Sequence, residues 1–466
     1  MAEHCNVNDT GLSQYQQENK ELGAWVIEKY FYDDFSIDTP RENKLKNIEL
    51  IISPRCNLGC KYCYLHRHRK QIFSEDCFDE EKTITNLKKL LEWYTFNEWN
   101  ANIEIFSGEL LAQEVGYRVL ETIYEHFKDL EPLYRPQELV IPTNFTFVCS
   151  EEATARVKEI YDKLDSIGIC LGLSASFDGK YMEENRPYLH DLDVDLGGGL
   201  RDDDYYERAF QFSHMIKGGL HPMVYSKNID AWPQNFLWFQ EMMAKYDIPW
   251  ESLYLLHVRN EEWNYDQVKS LQKFMEFVLD WVWEKIEHDP YSMAAWLLKG
   301  NGFNMFSQPL TSCGRGLTCG IQGQFTIRVS DLMMYPCHRT GYKDMYYGQL
   351  VEDENEILRF DCYNPELIIA TYSMHKASLP FCAQCPINEL CTGTCLGAQY
   401  ECTRNLLTPI PTVCAVAHAM IYTEMKWLQE HGVWGILWKD LNEEKKYQFT
   451  YLEEATELNV KQNQKL

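Results

Sequence analysis

The spacing of the cysteines is the feature that most constrains this chain. It contains 17 cysteines, and eleven of them fall into two ordered groups. The first group, within SPRCNLGCKYCYLHRH, follows the pattern Cys56-x3-Cys60-x2-Cys63. The second group is spread over the last third of the chain and comprises Cys313, Cys319, Cys337, Cys382, Cys385, Cys391, Cys395 and Cys414. Short, ordered spacings of this kind are typical of metal-binding segments.

The number of thiols in each group predicts what kind of metal group it holds. A cubane iron–sulfur cluster has four irons and normally takes four thiolates. The first group offers only three thiols, which leaves one iron open to a ligand that is not protein. The second group offers eight thiols, enough for two fully ligated clusters. We therefore expect chemistry at the first site and electron handling at the other two, with Cys402 as an alternative to Cys414 for the eighth ligand.

Structural zinc is the alternative interpretation, because paired Cys-x2-Cys segments also build tetrahedral zinc sites. The second group, considered alone, is also compatible with a structural zinc site. The triplet fits zinc poorly, since it lacks a fourth cysteine or histidine at finger spacing. His66 and His68 lie near the triplet, and we interpret them as solvated residues of the basic run HRHRK.

Composition and charge indicate a soluble cytoplasmic enzyme. The 466 residues predict two or three domains. No apolar stretch approaches the ~20 residues that span a bilayer, and the polar start MAEHCNVNDTGLSQYQQENK lacks the apolar core of a signal peptide. Thiols stay reduced in the cytoplasm. The formal net charge of −26 argues against binding to phosphate backbones, so we expect neither nucleic acid nor membrane as a partner.

Apolar strand patterns alternate with helical patterns between about residues 46 and 290. This alternation predicts parallel strands joined by right-handed crossovers, and hence an α/β sheet or barrel. Ligands bind beyond the carboxyl ends of such strands, which is where Cys56 falls. The predicted strands are Asn47–Ile52, Ala101–Phe106, Leu139–Pro142, Cys170–Ser176, Met223–Tyr225 and Leu253–His257.

The later part of the chain has a different pattern. From Asn301 it breaks into short turns rich in glycine, proline and cysteine, and metal ligation substitutes for a hydrophobic core in such a segment. We predict an N-terminal extension over 1–45, an α/β core over 46–300, a cysteine-rich domain over 301–418 and a helical tail over 419–466. The stretch GGGLRDDDYYE, residues 197–207, is predicted to be a flexible surface insertion.

Taken together, the two cysteine groups resemble the signature of the radical S-adenosylmethionine (SAM) enzymes and their SPASM extension. Cys-x3-Cys-x-Tyr-Cys after a strand resembles the first, and Cys-x2-Cys-x5-Cys-x3-Cys with a distant cysteine resembles the second. The resemblance implies a partial (β/α)6 barrel followed by a SPASM domain. It also implies SAM and three [4Fe-4S] clusters as cofactors, with the open iron chelating SAM for reductive cleavage to a 5′-deoxyadenosyl radical.

Short motifs resemble the SAM-binding elements of that family. Ser107–Leu110, Ser-Gly-Glu-Leu, resembles Gly-Gly-Glu-Pro, which implies that Gly108 and Glu109 bind the SAM ammonium. The alternative is an ordinary Gly-Glu loop. Pro142–Phe145 resembles the strand-end Thr-Asn-Gly with phenylalanine in place of glycine. Asn144 is then expected to line the SAM pocket, or alternatively to cap the following helix.

Three more residues are expected around SAM. Ser-Ala-Ser-Phe-Asp-Gly, residues 174–179, with a later arginine resembles the family's Ser-x-Asp-Gly element. The resemblance implies that Ser176 reaches the SAM ribose and that Arg186 faces the methionine carboxylate, while Asp178-Gly179 forms a turn. Tyr62 is expected to pack against the adenine, with plain burial beside the cluster as the alternative.

In the SPASM region the resemblance implies how the eight ligands divide. One auxiliary cluster takes Cys313, Cys319, Cys337 and Cys395, and the other takes Cys382, Cys385, Cys391 and Cys414. DLMMYPC, residues 331–337, resembles the family's Asp-Gly-x-x-Tyr-Pro-Cys, with Leu332 in place of glycine. His338 follows where sulfatase-maturing relatives usually carry a carboxylate. It is the expected proton acceptor, since histidine takes up a proton near neutral pH.

The expected function is that of a peptide maturase, which abstracts hydrogen from a ribosomally made peptide and installs a thioether, carbon–carbon or ether cross-link. One alternative is an anaerobic sulfatase-maturing enzyme that oxidises Ser or Cys to formylglycine, and another, from a different class, is a non-catalytic iron–sulfur or zinc scaffold. Expected partners are a peptide or protein substrate and an electron donor such as flavodoxin or ferredoxin. Only 55 residues precede Cys56, so a separate protein is expected to recognise any leader peptide.

The remaining cysteines are predicted to be small buried hydrophobes, with Cys170 on an apolar strand as the main example. The helical run FMEFVLDWVWEKI is predicted to face a core. The other cysteines of this set are Cys5, Cys77, Cys149 and Cys362, with whichever of Cys402 and Cys414 does not bind iron.

Overall fold

The computed structural model describes residues 46–65, 78–97, 99, 101–189, 201–298, 321, 323–374, 376, 379–388, 390–391 and 395–440. Several predicted positions lie outside the described residues: Cys5, His66, His68, Cys77, Cys313 and Cys319. The chain divides into two compact units. The first comprises the described residues of Met1–Phe177, Glu184–Leu220 and Gly320–Ser373, and the second those of Asp178–Glu183, His221–Cys319 and Met374–Leu466.

The strands, in chain order, are β1 Asn47–Ile51, β2 Asn102–Phe106, β3 Glu138–Thr143, β4 Cys170–Ala175, β5 Met223–Val224, β6 Leu256–His257, β7 Gln324–Arg328, β8 Met333–Tyr335, β9 Gly348–Glu352 and β10 Leu358–Cys362. The helices are α1 Glu80–Phe96, α2 Glu114–Phe127, α3 Glu151–Ser166, α4 Tyr205–Ile216, α5 Trp232–Lys245, α6 Tyr265–Lys285, α7 Pro290–Leu298, α8 Pro365–Ser373, α9 Leu396–Thr403, α10 Pro411–Glu430 and α11 Trp434–Asp440.

The first unit is built on one mixed sheet. Among the described residues, eight strands follow the order β10-β9-β8-β7-β1-β2-β3-β4. The strands β7, β1, β2, β3 and β4 are mutually parallel, whereas β8, β9 and β10 continue the sheet antiparallel. Because β1 lies between β2 and β7, the loop that follows β1 emerges in the middle of a parallel edge. This is where ligands bind in open α/β sheets.

Two helices of this unit, α1 and α3, begin at side-chain caps. The Asp79 carboxylate accepts a hydrogen bond from the Lys82 amide at 2.8 Å, and the Ser150 hydroxyl accepts one from the Ala153 amide at 3.2 Å. Such caps satisfy amides that have no partner inside the helix. The strand and helix faces that meet across the layers are apolar and fully buried, and include Leu87, Leu91, Ile105, Val119, Ile123, Leu139, Ile141, Leu164 and Leu173.

The second unit holds the parallel pair β5–β6, in which Val224 faces His257, together with a group of helices. Helix α6 begins at a capping box between Asn264 and Gln267 and packs on α10. The Trp427 indole of α10 donates to the Asp280 carboxylate of α6 at 2.7 Å. In the run FMEFVLDWVWEKI, five apolar side chains are buried, which confirms that it faces a core: Phe274, Met275, Val278, Leu279 and Val282.

The predicted α/β class is confirmed, and a strand forms at each of the six predicted places. The arrangement of all six as a partial barrel stays a prediction. The predicted domain limits are likewise untested, although helix α10 runs across the limit placed between residues 418 and 419.

Two local predictions are wrong. Cys170 is exposed, because it is the first residue of β4 and the alternation of that strand directs Leu171, Leu173 and Ala175 inward instead. Residues 197–200 of the predicted surface insertion lie outside the described residues, and the prediction is wrong at its other end, because α4 begins at Tyr205. Its side chain is only 1% exposed, since it packs beneath the strand ends.

Candidate active site

The cysteine triplet lies in the loop after β1 in the first unit. The Leu58 amide donates to the Cys56 sulfur at 3.4 Å, and the Cys63 amide donates to the Cys60 carbonyl at 3.0 Å. A segment of residues 185–188 runs alongside the loop. It accepts hydrogen bonds from the Gly59 and Lys61 amides at 2.8 and 2.9 Å. Backbone contacts therefore determine the shape of the triplet loop.

The start of this loop is bound to the end of β2. The Gly108 amide donates to the Ser53 carbonyl at 2.9 Å, and the Glu109 amide donates to the Arg55 carbonyl at the same distance. The Ser107 hydroxyl accepts from the Ser53 amide at 3.1 Å. A Cβ atom on Gly108 would lie 2.1 Å from the Arg55 carbonyl oxygen, closer than atoms can approach. Only glycine lets the two segments come this near.

The carboxylate of Glu109 lies at the ends of neighbouring strands and is 2% exposed. It accepts hydrogen bonds from the Asn144 amide at 2.6 Å, the Thr143 hydroxyl at 2.8 Å and the Leu111 amide at 3.2 Å. An ionised carboxylate has about four acceptor positions, so three donors leave one for a further ligand.

Asn144 follows β3, and its side chain makes two hydrogen bonds. Its Oδ1 accepts a hydrogen bond from the Thr146 backbone amide at 3.0 Å. Its Nδ2 donates one to the side-chain oxygen Oδ1 of Asn57, in the triplet loop, at 2.8 Å. The first bond is of the capping kind that the sequence left open. Phe145 takes the left-handed conformation with φ of 60°, which favours glycine. The phenylalanine that replaces the family's glycine therefore keeps the backbone conformation of a glycine.

The other residues expected around SAM lie in the same unit. The Arg186 guanidinium lies 5.4 Å from the centre of the Tyr62 ring, and both side chains are buried, with exposures of 7% and 8%. Ser176 is half-buried, and its amide donates to the Thr143 carbonyl at 2.7 Å. The structure thus brings Tyr62, Arg186 and Ser176 to the ends of the strands that carry the triplet and Glu109.

Buried groups that become anionic dominate the charges of this site, and Arg186 is the cation that acts on Glu109. Burial raises the pKa of the Cys56 thiol well above its ordinary value, and the neighbouring Cys60 and Glu109 raise it further. Burial also raises the pKa of Glu109 to about 7, against hydrogen bonds from Asn144, Thr143 and Leu111 and the charge of Arg186. Several buried groups that become anionic lie together, and such groups are stabilised by a metal or a cationic ligand. This donor set fits an iron cluster with SAM.

His338 lies next to the same strand ends, in the short 3-10 helix His338–Thr340. Its ring stacks on Phe106 with centroids 3.6 Å apart. Its Nδ1 lies 3.0 Å from a Glu49 carboxylate oxygen, and its amide donates to the other oxygen at 2.9 Å. A small cavity of about 10 Å³ is lined by His338 together with residues that flank the triplet and the Gly-Glu pair, namely Ser53, Pro54, Tyr64, Leu65, Phe106 and Ser107.

Glu49 is a buried carboxylate on β1, 2% exposed. It also accepts hydrogen bonds from the Gln324 amide group at 3.0 Å and from the Thr326 hydroxyl. Burial raises the pKa of Glu49, but the charge of His338 and the hydrogen bonds from His338 and Thr326 outweigh burial, so the pKa lies below its ordinary value. Glu49 therefore holds the imidazole of His338 in one orientation.

Cys337 caps the helix that carries His338, and its amide donates to the Thr340 hydroxyl at 3.1 Å. Leu332, the residue just before β8, has a φ of 59°. It stands where the resembled motif has glycine, so the turn keeps the left-handed conformation there as well. The predicted co-ligands Cys313 and Cys319 lie outside the described residues.

In the second unit, five predicted ligands line one cavity of about 60 Å³: Cys382, Cys385, Cys391, Cys395 and Cys414. Four of them belong to one predicted cluster, and Cys395 is predicted to bind the other. Burial and the nearby thiols Cys391, Cys382 and Cys385 together raise the pKa of Cys414 to about 11. Within the described ranges, no three cysteine, histidine or acidic residues are arranged to hold a single metal ion. The thiols instead surround a space, as ligands of four separate irons do.

The rival ligand Cys402 lies on α9 and is exposed, and it is not among the residues that line the cavity. Cys414 lies in the first turn of α10 and lines it. The structure therefore brings Cys414, and not Cys402, together with Cys382, Cys385 and Cys391. That these residues bind iron stays a prediction.

Sequence reasoning missed several residues of the first site. The Tyr205 hydroxyl donates to the Asn144 carbonyl at 2.6 Å, and the Asn57 side chain joins the triplet loop to Asn144 and Thr146. Glu49 is separated from His338 by 289 positions. An acidic residue in the middle of a buried strand was the signal for Glu49, but no sequence pattern marks Tyr205.

Comparisons with known proteins gave only distant matches. No family model matches the chain, and no curated protein matches it. Two solved structures of SuiB from Streptococcus suis are similar. The one bound to S-adenosylmethionine is 13% identical with a TM-score of 0.43, over 79% of this chain and 74% of SuiB. The other is 14% identical with a TM-score of 0.44, over 79% and 76%. Such a likeness is too distant to assign a function.

None of the helices among the described residues is long and apolar enough to cross a membrane.

Proposed function

We propose that this chain is a radical SAM enzyme with SPASM-type auxiliary clusters that modifies a peptide. The observation that carries the proposal is the contact between the triplet loop and the Gly108-Glu109 pair, at the carboxyl edge of parallel strands. A three-thiol loop supports a cluster with one open iron. A buried carboxylate beside it, with one acceptor position left, supports a cationic amine as the ligand of that iron.

The residues divide the work of binding. Cys56, Cys60 and Cys63 hold the cluster, and Glu109 with the backbone of Gly108 binds the SAM ammonium. Arg186 supplies the cation for the SAM carboxylate. When bound, the cluster and SAM together supply a 5′-deoxyadenosyl radical that removes hydrogen from the substrate. Three further residues contact SAM in this proposal. Tyr62 packs against the adenine, Ser176 reaches the ribose, and Asn144 lines the pocket.

The auxiliary ligands follow the partition that the resemblance implies. Cys382, Cys385, Cys391 and Cys414 hold one cluster, and their common cavity supports this set. Cys337 and Cys395 hold the other with Cys313 and Cys319. An external donor such as flavodoxin or ferredoxin supplies electrons.

His338 is the proposed proton acceptor. It lies beside the strand ends that carry the SAM-binding residues, and the Glu49 carboxylate at 3.0 Å from Nδ1 leaves Nε2 as the free ring nitrogen. A carboxylate that orients an imidazole in this way is a recurring device of acid–base catalysis. Replacing His338 with Gln should reduce peptide modification strongly and leave SAM cleavage intact. Loss of both activities together would contradict this role.

The proposed product is a cross-linked peptide. Closing a thioether, carbon–carbon or ether bond removes one hydrogen from each of the two joined atoms, so the peptide loses two hydrogen atoms. One would leave as a hydrogen atom to the 5′-deoxyadenosyl radical. The other would leave as a proton to His338 and an electron to an auxiliary cluster. The first test is anaerobic incubation of the iron-loaded protein with SAM and dithionite, followed by measurement of 5′-deoxyadenosine. An iron-loaded protein that releases none is a scaffold, and the proposal fails.

The second test is mass spectrometry of candidate peptides after the reaction, with and without a leader-binding protein. Formylglycine formation from serine also removes two hydrogen atoms, so mass alone does not separate the two products. A hydrazide probe does, because it reacts with the formylglycine carbonyl and not with a cross-link. A product that reacts with the hydrazide would contradict the cross-linking proposal and would support the sulfatase-maturing activity instead.

A further inference from the structure

The cysteine cavity of the second unit has an unusual charge distribution. Three basic side chains line it beside the five thiols, namely Arg259, Lys376 and His418. Among the described residues that line it, none is Asp or Glu. The whole chain, by contrast, carries 70 acidic and 44 basic residues. Basic groups are therefore concentrated at this cavity, against the composition of the chain.

Lys376 is the most deeply placed of the three, with an exposure of 1%. Its ammonium donates to the Cys391 carbonyl at 2.9 Å. A buried ammonium is costly unless an anion lies close, and thiolates bound to iron would supply that negative charge.

His418 and Arg259 complete the arrangement. His418 follows Cys414 by one turn of α10, so both face the cavity. The His418 Nε2 lies 3.4 Å from the Cys385 sulfur, which is within hydrogen-bonding distance for sulfur. Arg259 comes two residues after β6 and lines the same cavity with a half-buried guanidinium.

We propose that Arg259, Lys376 and His418 form a basic collar that raises the reduction potential of the cluster held by Cys382, Cys385, Cys391 and Cys414. The proposal rests on the proposed function, which places a cluster there. Reduction adds one negative charge to the cluster. Positive side chains and hydrogen bonds to the ligand sulfurs stabilise the reduced state more than the oxidised one. The three residues are positioning residues and are not ligands.

The test is a redox titration of the anaerobically reconstituted full-length protein, followed by electron paramagnetic resonance. A background with Cys56, Cys60 and Cys63 changed to Ala removes the signal of the first cluster. Loss of a signal on Cys382→Ala with Cys385→Ala identifies the cluster in question. In this background we expect Lys376→Met to lower the ratio of reduced to oxidised cluster at least tenfold, a shift of about 59 mV for one electron. Arg259→Met and His418→Leu should cause smaller shifts of the same sign.

Controls separate charge from packing. Lys426→Met removes a charge from an exposed part of α10, where Lys426 lies 3.8 Å from Glu430, and should leave the midpoint potential unchanged. Arg259→Lys keeps the charge, and His418→Gln keeps a donor, so both should restore most of the shift. If Lys376→Met fails to load iron, the midpoint potentials of Arg259→Met and His418→Leu test the proposal instead.

Midpoint potentials that match the Lys426→Met control in these variants, with normal iron content, would overturn the collar. That result leaves the proposed function standing if the protein with an intact triplet still releases 5′-deoxyadenosine. Absence of iron and of SAM cleavage in the wild-type protein would overturn the proposed function itself.

Discussion

The two thiol-rich regions of this protein differ in what holds them and in what charge surrounds them. The triplet loop is bound on both sides by backbone hydrogen bonds, to residues 107–109 and to residues 185–188. The buried carboxylate of Glu109 lies close enough to raise the pKa of Cys56. The cysteine cavity is built from short turns, with local bonds such as Cys385 amide to Cys382 carbonyl at 3.0 Å. Its nearest charges are basic.

This difference assigns a separate task to each region. A parallel sheet shapes the triplet before any metal binds, so the open site can be rigid and still accept a ligand. A carboxylate there suits a ligand that carries an ammonium group. We expect the cavity of the second unit to depend on ligation for its shape, and basic groups there would suit the proposed cluster that holds electrons.

The largest effect is expected from changes in the triplet. Changing Cys56, Cys60 and Cys63 to Ala should abolish SAM cleavage and remove about four of about twelve irons per chain, the contents of one and of three cubanes. The fold should remain, because backbone hydrogen bonds and the sheet support this loop. Iron analysis, 5′-deoxyadenosine release and circular dichroism measure the three effects. SAM cleavage by the triple variant would contradict the radical SAM assignment.

The corresponding change in the cavity should have a different outcome. Cys382→Ala with Cys385→Ala should also remove about four irons, but it should lower Tm much more than the triplet change does, because ligation substitutes for a core there. Peptide modification should fail, whereas SAM cleavage by the triplet persists. Equal Tm values for the two variants would remove the proposed distinction between the regions.

The fourth ligand of the cavity can be identified with a matched pair of single variants. Cys414→Ala should cause loss of iron, because Cys414 lines the cavity. Cys402→Ala should leave the iron content unchanged, because Cys402 is exposed on α9. The reverse result, with iron lost only on Cys402→Ala, would make Cys402 the fourth ligand in place of Cys414.

A single methyl group should disturb the triplet loop. Gly108→Ala places a Cβ 2.1 Å from the Arg55 carbonyl oxygen, and relief of such a clash costs about 1–3 kcal/mol. The free energy of unfolding should fall by that amount, and SAM cleavage should fall with it, because the loop before Cys56 shifts. Gly435→Ala is the control, since no atom lies within 4 Å of a Cβ built there. Equal stability of the two variants would contradict the tight contact.

The smallest effect is expected at Tyr205. Tyr205→Phe removes the hydrogen bond to the Asn144 carbonyl and keeps the buried ring, so it should cost about 1 kcal/mol of stability. KM for SAM should rise, because Asn144 donates its amide to Glu109 at 2.6 Å. Tyr206→Phe is the neighbouring control and should leave KM unchanged. If Tyr205→Phe has the wild-type KM for SAM, the Tyr205 hydroxyl does not help to position Asn144 for SAM binding.

Local patterns in the sequence determined much of this protein. Alternation of apolar strands with amphipathic helices predicted β1 to β4 and their crossovers, since period and turn residues act over a few positions. The family resemblance of the cysteine motifs implied that Cys382, Cys385, Cys391 and Cys414 meet, and all four line the second cavity, although Cys395, predicted for the other cluster, lines it too. The exposure of Cys170 was not predicted, because a one-residue choice of face reverses the orientation of a strand residue.

Only the tertiary structure decided which distant residues complete the two regions. Glu49, in the middle of β1, meets His338 of the turn after β8, and Tyr205 of α4 meets Asn144 beyond β3. No local pattern in the sequence records those pairings. Left-handed φ values at Phe145 and Leu332 are likewise set by the surroundings, since neither residue type favours them. The basic groups Arg259, Lys376 and His418 come from separate segments. Their convergence on one cavity results from packing, which joins residues that are far apart in the chain.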